Sequence, residues 1–144
     1  MAETAPDASP SGFSAATQKW VRILIPLSLA LLYFSLPHTL EDFAAGEPLK
    51  KGVPAEALAL IVSTLIAAQA VGLFWLGQAR RKGLWVHAGL GMIWPLAAGF
   101  AQLPVILGPD PYRSGAISVL YVVSLLTIGP AISLLAILGL RADR

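Results

Sequence analysis

Four long stretches without a charged side chain constrain this sequence more than any other feature. They cover residues 23–40, 57–79, 83–109 and 114–140, with lengths of 18, 23, 27 and 27 residues. About 20 apolar residues, each rising 1.5 Å along a helix, cross a hydrocarbon core of about 30 Å. Each stretch is therefore long enough to span a bilayer, and the last two include loop residues or a tilted helix.

The composition agrees with a lipid environment. Hydrophobic residues make up 56% of the chain and charged residues 12%, against about 45–50% and about 25% in soluble domains. A chain with so few ionisable groups cannot cover its apolar surface in water. The stretches are also too continuously apolar for the alternating strands of a membrane barrel. The sequence predicts an all-α membrane protein, a bundle of four transmembrane helices.

The predicted spans divide the chain into a tail and one domain. The spans cover about residues 20–38, 55–78, 84–107 and 115–140. Residues 19–144 form the predicted four-helix domain, and residues 1–18, rich in Ala, Ser, Pro and Thr, form a predicted disordered cytoplasmic tail. The first span resembles a signal peptide in its basic start, but Pro37 and His38 stand where small residues should mark cleavage. We therefore expect the first span to be retained.

Basic residues are unevenly divided between the two ends of the spans. Seven lie on the side of the chain termini, and only Lys50, Lys51 and Arg113 lie on the other side. Because basic residues favour the cytoplasmic side, we expect both termini in the cytoplasm and a multi-pass protein of the plasma (inner) membrane. The sequence shows no basic stripe with interleaved aromatic residues, so the predicted partner is the lipid bilayer and not a nucleic acid.

The most distinctive polar segment ends the first span. If the helix continues past Pro37, the i, i+3 and i+4 spacing puts His38, Glu41 and Asp42 on one face. Such a group is suited to metal binding or proton transfer, which makes these three residues the candidate catalytic and metal residues. The alternative is a polar cap at the membrane interface. A closed site needs more ligands from the same side, and the candidates are Gln102, Asp110, Tyr112 and Tyr121.

Prolines inside the spans suggest an irregular interior, because each removes a backbone donor and can kink its helix. A cavity opening outward between kinked helices is one interpretation, with Tyr33, Gln102 and Tyr121 as candidate cofactor-binding residues. Irregular packing without a ligand is the other. The sequence has no cysteine, phosphate-binding loop or dinucleotide fingerprint, and we predict no cofactor.

Small residues recur every four positions around the second histidine. The residues on this face are Gly83, His87, Gly91, Pro95 and Gly99, and a matching stripe in the second span holds Thr64, Ala68 and Gly72. Small residues let neighbouring helices approach closely. We therefore predict that the second and third spans pack closely, with His87 hydrogen-bonded to a carbonyl or hydroxyl in a helix seam and too far from His38 to share a ligand.

Three functions remain open at this point. The leading hypothesis is a small, non-catalytic polytopic membrane protein, either an accessory subunit of a membrane-protein partner or a homo-oligomeric helical bundle. The second is a membrane-embedded enzyme or a metal- or cofactor-binding protein with its site around His38, Glu41 and Asp42. The third is a small-solute transporter, which the near absence of charge inside the spans disfavours.

Overall fold

Five helices make up the part of the chain that the computed structural model describes, residues 12–109 and 111–143. In chain order they are α1 (Ala15–Ala44), α2 (Glu47–Lys50), α3 (Ala55–Gly77), α4 (Arg81–Ile106) and α5 (Ala116–Ala142). The described residues contain no strand. All helices except α2 are long and apolar enough to cross a membrane. The predicted all-α fold with four candidate membrane spans is confirmed.

The helix bounds match the predicted spans within three residues except in α1, which is longer at both ends. It begins early because Ser14 Oγ accepts a hydrogen bond of 3.1 Å from the backbone N–H of Thr17 and caps the first turn. Residues 15–18 therefore belong to α1 and not to the predicted tail, whereas residues 1–11 of that tail lie outside the described residues. The helix continues through Pro37, which fulfils the condition for a shared polar face.

The start of α1 is fastened to the end of α5. Ser14 Oγ donates to the Ala142 carbonyl at 3.2 Å, and Thr17 Oγ1 donates to the Gly139 carbonyl at 3.3 Å. The Asp143 carboxylate accepts from the Ser14 backbone N–H at 3.4 Å. A negative charge at this position also suits the positive end of the α1 dipole.

The core is formed mainly by α1, α4 and α5. Helix α5 packs along both α1 and α4, whereas α3 packs along α4 and makes few contacts with α1. In its most apolar stretch, α5 has 44% of its residues buried and α3 only 11%. The fully buried apolar side chains include Leu24, Leu31, Leu84, Leu125 and Ile132. Helix α3 is therefore a lateral addition to a three-helix core.

Glycines set the closest approaches between helices. A Cβ atom on Gly83 would lie 2.8 Å from the Gly72 carbonyl oxygen, so α3 and α4 touch there as predicted. A Cβ on Gly91 would lie 2.6 Å from the Gly129 carbonyl oxygen, which places Gly91 against α5 instead. The small-residue face of α4 thus serves two neighbours, and Thr64 of the predicted stripe is exposed.

Candidate functional site

Polar side chains from four elements meet at the end of the bundle where α2 lies. This α2-end cluster consists of His38, Glu41, Asp42, Gln102, Tyr112, Arg113 and Ser118. Helix α1 presents the first three on one face, as the spacing predicts. Helix α4 supplies Gln102, the α4–α5 connection supplies Tyr112 and Arg113, and the first turn of α5 supplies Ser118.

Asp42 is the centre of the α2-end cluster. Gln102 Nε2 donates to both carboxylate oxygens at 3.2 and 3.3 Å, and Arg113 donates to the same carboxylate. A second Arg113 nitrogen and the Tyr112 hydroxyl donate to Gln102 Oε1 at 2.9 and 3.0 Å. These contacts use both ends of the Gln102 amide, so its orientation is fixed.

Charges at the solvent edge of the cluster are balanced by further ion pairs. Glu47 lies 3.1 Å from Lys50 Nζ, 3.6 Å from Lys51 Nζ and 3.8 Å from an Arg113 nitrogen. Burial raises the pKa of Glu47, but the Lys50 hydrogen bond and the three positive charges outweigh it and lower the pKa below its usual value. Burial also raises the pKa of Tyr112 to about 12, against the opposing charge of Arg113.

Two atoms of the α2-end cluster are buried without a hydrogen-bond partner among the described residues. They are His38 Nδ1 and Glu41 Oε2. The other carboxylate oxygen of Glu41 accepts from the Ser118 hydroxyl. His38 is only 5% exposed, and its Nε2 lies 3.8 Å from Asp42 Oδ2, beyond hydrogen-bond distance. Both ring nitrogens of His38 therefore remain open to a partner.

A cavity of about 210 Å³ lies beside His38. Its polar end is formed by His38, Thr39, Asp42 and Gln102, and its apolar walls by Leu58, Val62, Trp94, Ala97, Ala98, Ala101 and Leu125. A smaller cavity of about 110 Å³ shares Asp42 and Gln102 with it and extends to Glu47 and Lys51. The α2-end cluster therefore adjoins enough space for a small molecule.

The structure brings together some of the predicted site residues and separates others. His38, Asp42 and Gln102 line one cavity, and Glu41 and Tyr112 belong to the same cluster. Tyr33 is 71% exposed and lines no part of this cavity, nor does Tyr121. Tyr33 and Tyr121 are thus not brought together with Gln102 around this cavity, and their role in binding a cofactor stays a prediction. Asp110 lies outside the described residues.

Metal binding by the predicted trio finds no support in its geometry. Within the described ranges, no group of three or more His, Asp or Glu side chains is arranged to hold a metal ion. Asp42 is bound by Arg113 and Gln102, and Glu41 by Ser118. The α2-end cluster is a hydrogen-bonded ion-pair network beside a cavity.

Sequence reasoning missed Arg113 and Trp94 as parts of the site. Arg113 was used only to predict the orientation of the helices in the membrane. It lies, however, on the same side as the acidic end of the first span. The backbone φ angle of Arg113 is 35°, a value that residues other than glycine rarely adopt. No sequence pattern marks Trp94 as a site residue. Only the packing of α4 shows that Trp94 lines the cavity.

A second polar group lies deeper among the helices. This buried network consists of Ser28, Gln69, Gly83, His87 and Trp94. His87 Nδ1 donates to the Gly83 carbonyl at 2.8 Å, so Nε2 accepts from Ser28 Oγ at 2.9 Å. Gln69 Nε2 donates to Ser28 at 2.8 and 2.9 Å, and Trp94 Nε1 donates to Gln69 Oε1 at 3.3 Å. The predicted hydrogen bonds of His87 to a carbonyl and a hydroxyl are confirmed.

The fold and the two polar groups define a class of protein. The chain is a small helical protein with four candidate membrane spans, a buried network between three of them and a polar cavity at one end. Comparisons with protein-family models, curated proteins and solved structures find no significant match. Its function is therefore inferred from the geometry of the α2-end cluster.

Proposed function

We propose that this protein binds a small, membrane-soluble molecule in the cavity beside His38. The observation that carries this proposal is a buried imidazole that lines a cavity of about 210 Å³ and makes no hydrogen bond within the described residues. Leaving a buried polar group without a partner costs about 1–3 kcal/mol. A bound molecule that supplies the missing partner removes this cost.

Binding explains the structure better than the other hypotheses. The exposed apolar side chains of α3, such as Leu60, Ile61 and Phe74, suit lipid as well as a partner helix, so they do not favour an accessory subunit or a homo-oligomer. The buried network contains one ionisable side chain, His87, and no carboxylate. It therefore lacks the buried carboxylates that ion-coupled carriers use to bind and release the ion. The proposed binding protein is non-catalytic.

Native mass spectrometry of the protein in mild detergent tests the proposal. We expect wild type to carry a bound small molecule that collisional activation releases. The variant Ala101→Phe, which adds bulk to the wall that both cavities share, should lose it, because Ala101 lines each of them. The control Ala70→Phe adds the same volume on the exposed side of α3 and should keep it. Identical spectra for all three proteins, with detergent or bulk lipid only, would contradict binding in the cavity.

We also propose that the α2-end cluster faces the outside of the cell and that both termini face the cytoplasm of a plasma-membrane protein. The seven-to-three division of basic residues supports this orientation. A reporter fused after Arg144 should be active only if it works in the cytoplasm. A reporter inserted at Gly46, in the turn between α1 and α2, should be active only if it works outside. The reverse pattern would invert the proposed orientation.

A further inference from the structure

The polar end of the cavity offers several hydrogen-bond acceptors and, among the described residues, one free donor, the N–H of a neutral His38. Gln102 Nε2 already donates to both oxygens of Asp42. The Thr39 hydroxyl donates to the Ser35 carbonyl at 2.8 Å, which leaves its oxygen lone pairs free. A neutral imidazole always keeps one nitrogen as an acceptor, whichever nitrogen carries the proton. The cavity thus complements a ligand that donates a hydrogen bond.

The charges around this end favour an uncharged ligand. Asp42 lines it, Glu41 and Glu47 lie nearby, and three cations balance these carboxylates, from Lys50, Lys51 and Arg113. A further cation or anion would be a buried charge without compensation, which is strongly unfavourable. A hydroxyl group donates a hydrogen bond without adding a charge.

The volume and the walls indicate the body of the ligand. An engineered apolar cavity of about 150 Å³ is large enough to bind benzene. The cavity here has about 210 Å³, and its walls beyond the polar end are aliphatic side chains and the indole of Trp94. This space suits a substituted six-membered ring.

The entrance indicates where the ligand comes from. Ala97 lines the cavity and is exposed at the surface of α4. It lies nine residues before Ile106, the last residue of α4, which is roughly 14 Å at 1.5 Å per residue. In a membrane this part of the cavity wall faces the hydrocarbon region, which gives an apolar ligand a route to the cavity from the lipid.

We infer that the ligand is an uncharged, ring-sized apolar molecule with one hydroxyl group, whose O–H donates to the acceptor nitrogen of His38. This inference rests on the proposed function, because it specifies the chemistry of the same cavity.

The test compares two probes that differ only in the donor. The probes are 4-propylcyclohexanol and its methyl ether, added to the full chain in detergent. Trp20, Trp75 and Trp85 are replaced by Phe, so that the fluorescence of Trp94 reports the cavity wall. We expect the fluorescence of Trp94 to change saturably with the concentration of the alcohol. The affinity for the ether should be weaker by about tenfold or more, because the ether cannot donate a hydrogen bond to the buried acceptor.

Two substitutions assign the acceptor. His38→Leu removes it and should reduce the preference for the alcohol to about twofold or less. His38→Gln keeps an acceptor of similar size and should retain most of the preference, which separates a lost hydrogen bond from a lost fold. A full preference in a folded His38→Leu protein would overturn the role of His38.

Failure of the inferred ligand class can be distinguished from failure of the proposed binding function. Equal affinities for alcohol and ether, abolished together by Ala101→Phe, would overturn the hydroxyl class and leave the proposed binding function intact. No saturable signal from either probe, together with native spectra that show no released molecule, would overturn both.

Discussion

The buried network and the α2-end cluster are both groups of polar side chains between helices, yet they differ in charge and in completeness. In the buried network no side-chain nitrogen or oxygen atom is left without a partner, and every hydrogen bond has a defined direction from Trp94 to Gly83. The α2-end cluster contains several charged groups and leaves two buried atoms without a partner among the residues that the structure describes. Completeness suits a structural role, because a satisfied network holds helices in one arrangement.

Packing around the two groups differs in the same way. Next to His87, glycines bring backbones into contact, and a Cβ atom on Gly72 would lie 2.8 Å from the imidazole. Beside the α2-end cluster two cavities remain, and His38 lines the larger one. The difference teaches that polarity alone does not identify a binding site in this protein. Unpartnered buried atoms and adjoining free volume are what distinguish the α2-end cluster from the buried network.

The largest expected effect comes from adding volume in the tightly packed region. Gly91→Leu should prevent stable packing of α4 on α5, because its Cβ would lie 2.5 Å from Ser133 Oγ and 2.6 Å from the Gly129 carbonyl oxygen. Size-exclusion chromatography and circular dichroism should show little folded protein. The control Gly89→Leu, on the same helix with no atom within 4 Å, should fold normally. A folded Gly91→Leu protein would remove the contrast in packing.

A smaller effect should follow from breaking the buried network without adding volume. Gln69→Leu removes the hydrogen bonds that link α3 to Ser28 and Trp94. Hydrogen bonds between membrane helices contribute about 0.6–2 kcal/mol each, so we expect a loss of about 1–3 kcal/mol in the free energy of unfolding. Thermal unfolding followed by circular dichroism measures this loss. Ser63→Ala, an exposed hydroxyl on the same helix, is the control and should leave the melting temperature unchanged.

The smallest expected effect is local and depends on pH. The folded pKa of Glu47 lies below its ordinary value of 4.5, so its ion pairs stabilise the α2 end above that pH and lose this contribution as the pH falls below it. Hydrogen exchange, corrected for intrinsic rates, should show lower protection of residues 45–54 at pH 3 than at pH 5. Glu47→Gln should weaken this dependence. An unchanged dependence in that variant would assign it to another group.

The spans could be predicted from the sequence because lipid demands continuous apolar segments, and their bounds are nearly correct in α3, α4 and α5. The early start of α1 was missed, although Ser14 is a residue type that caps helices; its bond to the end of α5 depends on packing that the sequence does not show. The lateral position of α3 could not be predicted from the sequence either. Its faces are apolar on every side, and the same side chains suit lipid and core.

Part of the candidate site could be predicted from local spacing. Helical geometry places His38 near Asp42, and topology places Gln102 and Tyr112 at the same end. The ion pair between Arg113 and Asp42 depends on how α4 and α5 are rotated, which the sequence pattern does not determine. The exposed position of Tyr33 could not be predicted for the same reason, because the sequence does not show which way a tyrosine in an apolar helix faces.

The tie between the two ends of the described chain has a consequence for biosynthesis. Helix α1 buries Val21, Leu24 and Thr17, and α5 is the helix that packs along it most extensively near that end. During synthesis α1 emerges first, whereas α5 emerges only after α3 and α4. The face of α1 that packs on α5 must therefore stay in contact with lipid or with insertion machinery until α5 has been synthesised. The order of synthesis therefore makes the α1–α5 contact one of the last to form.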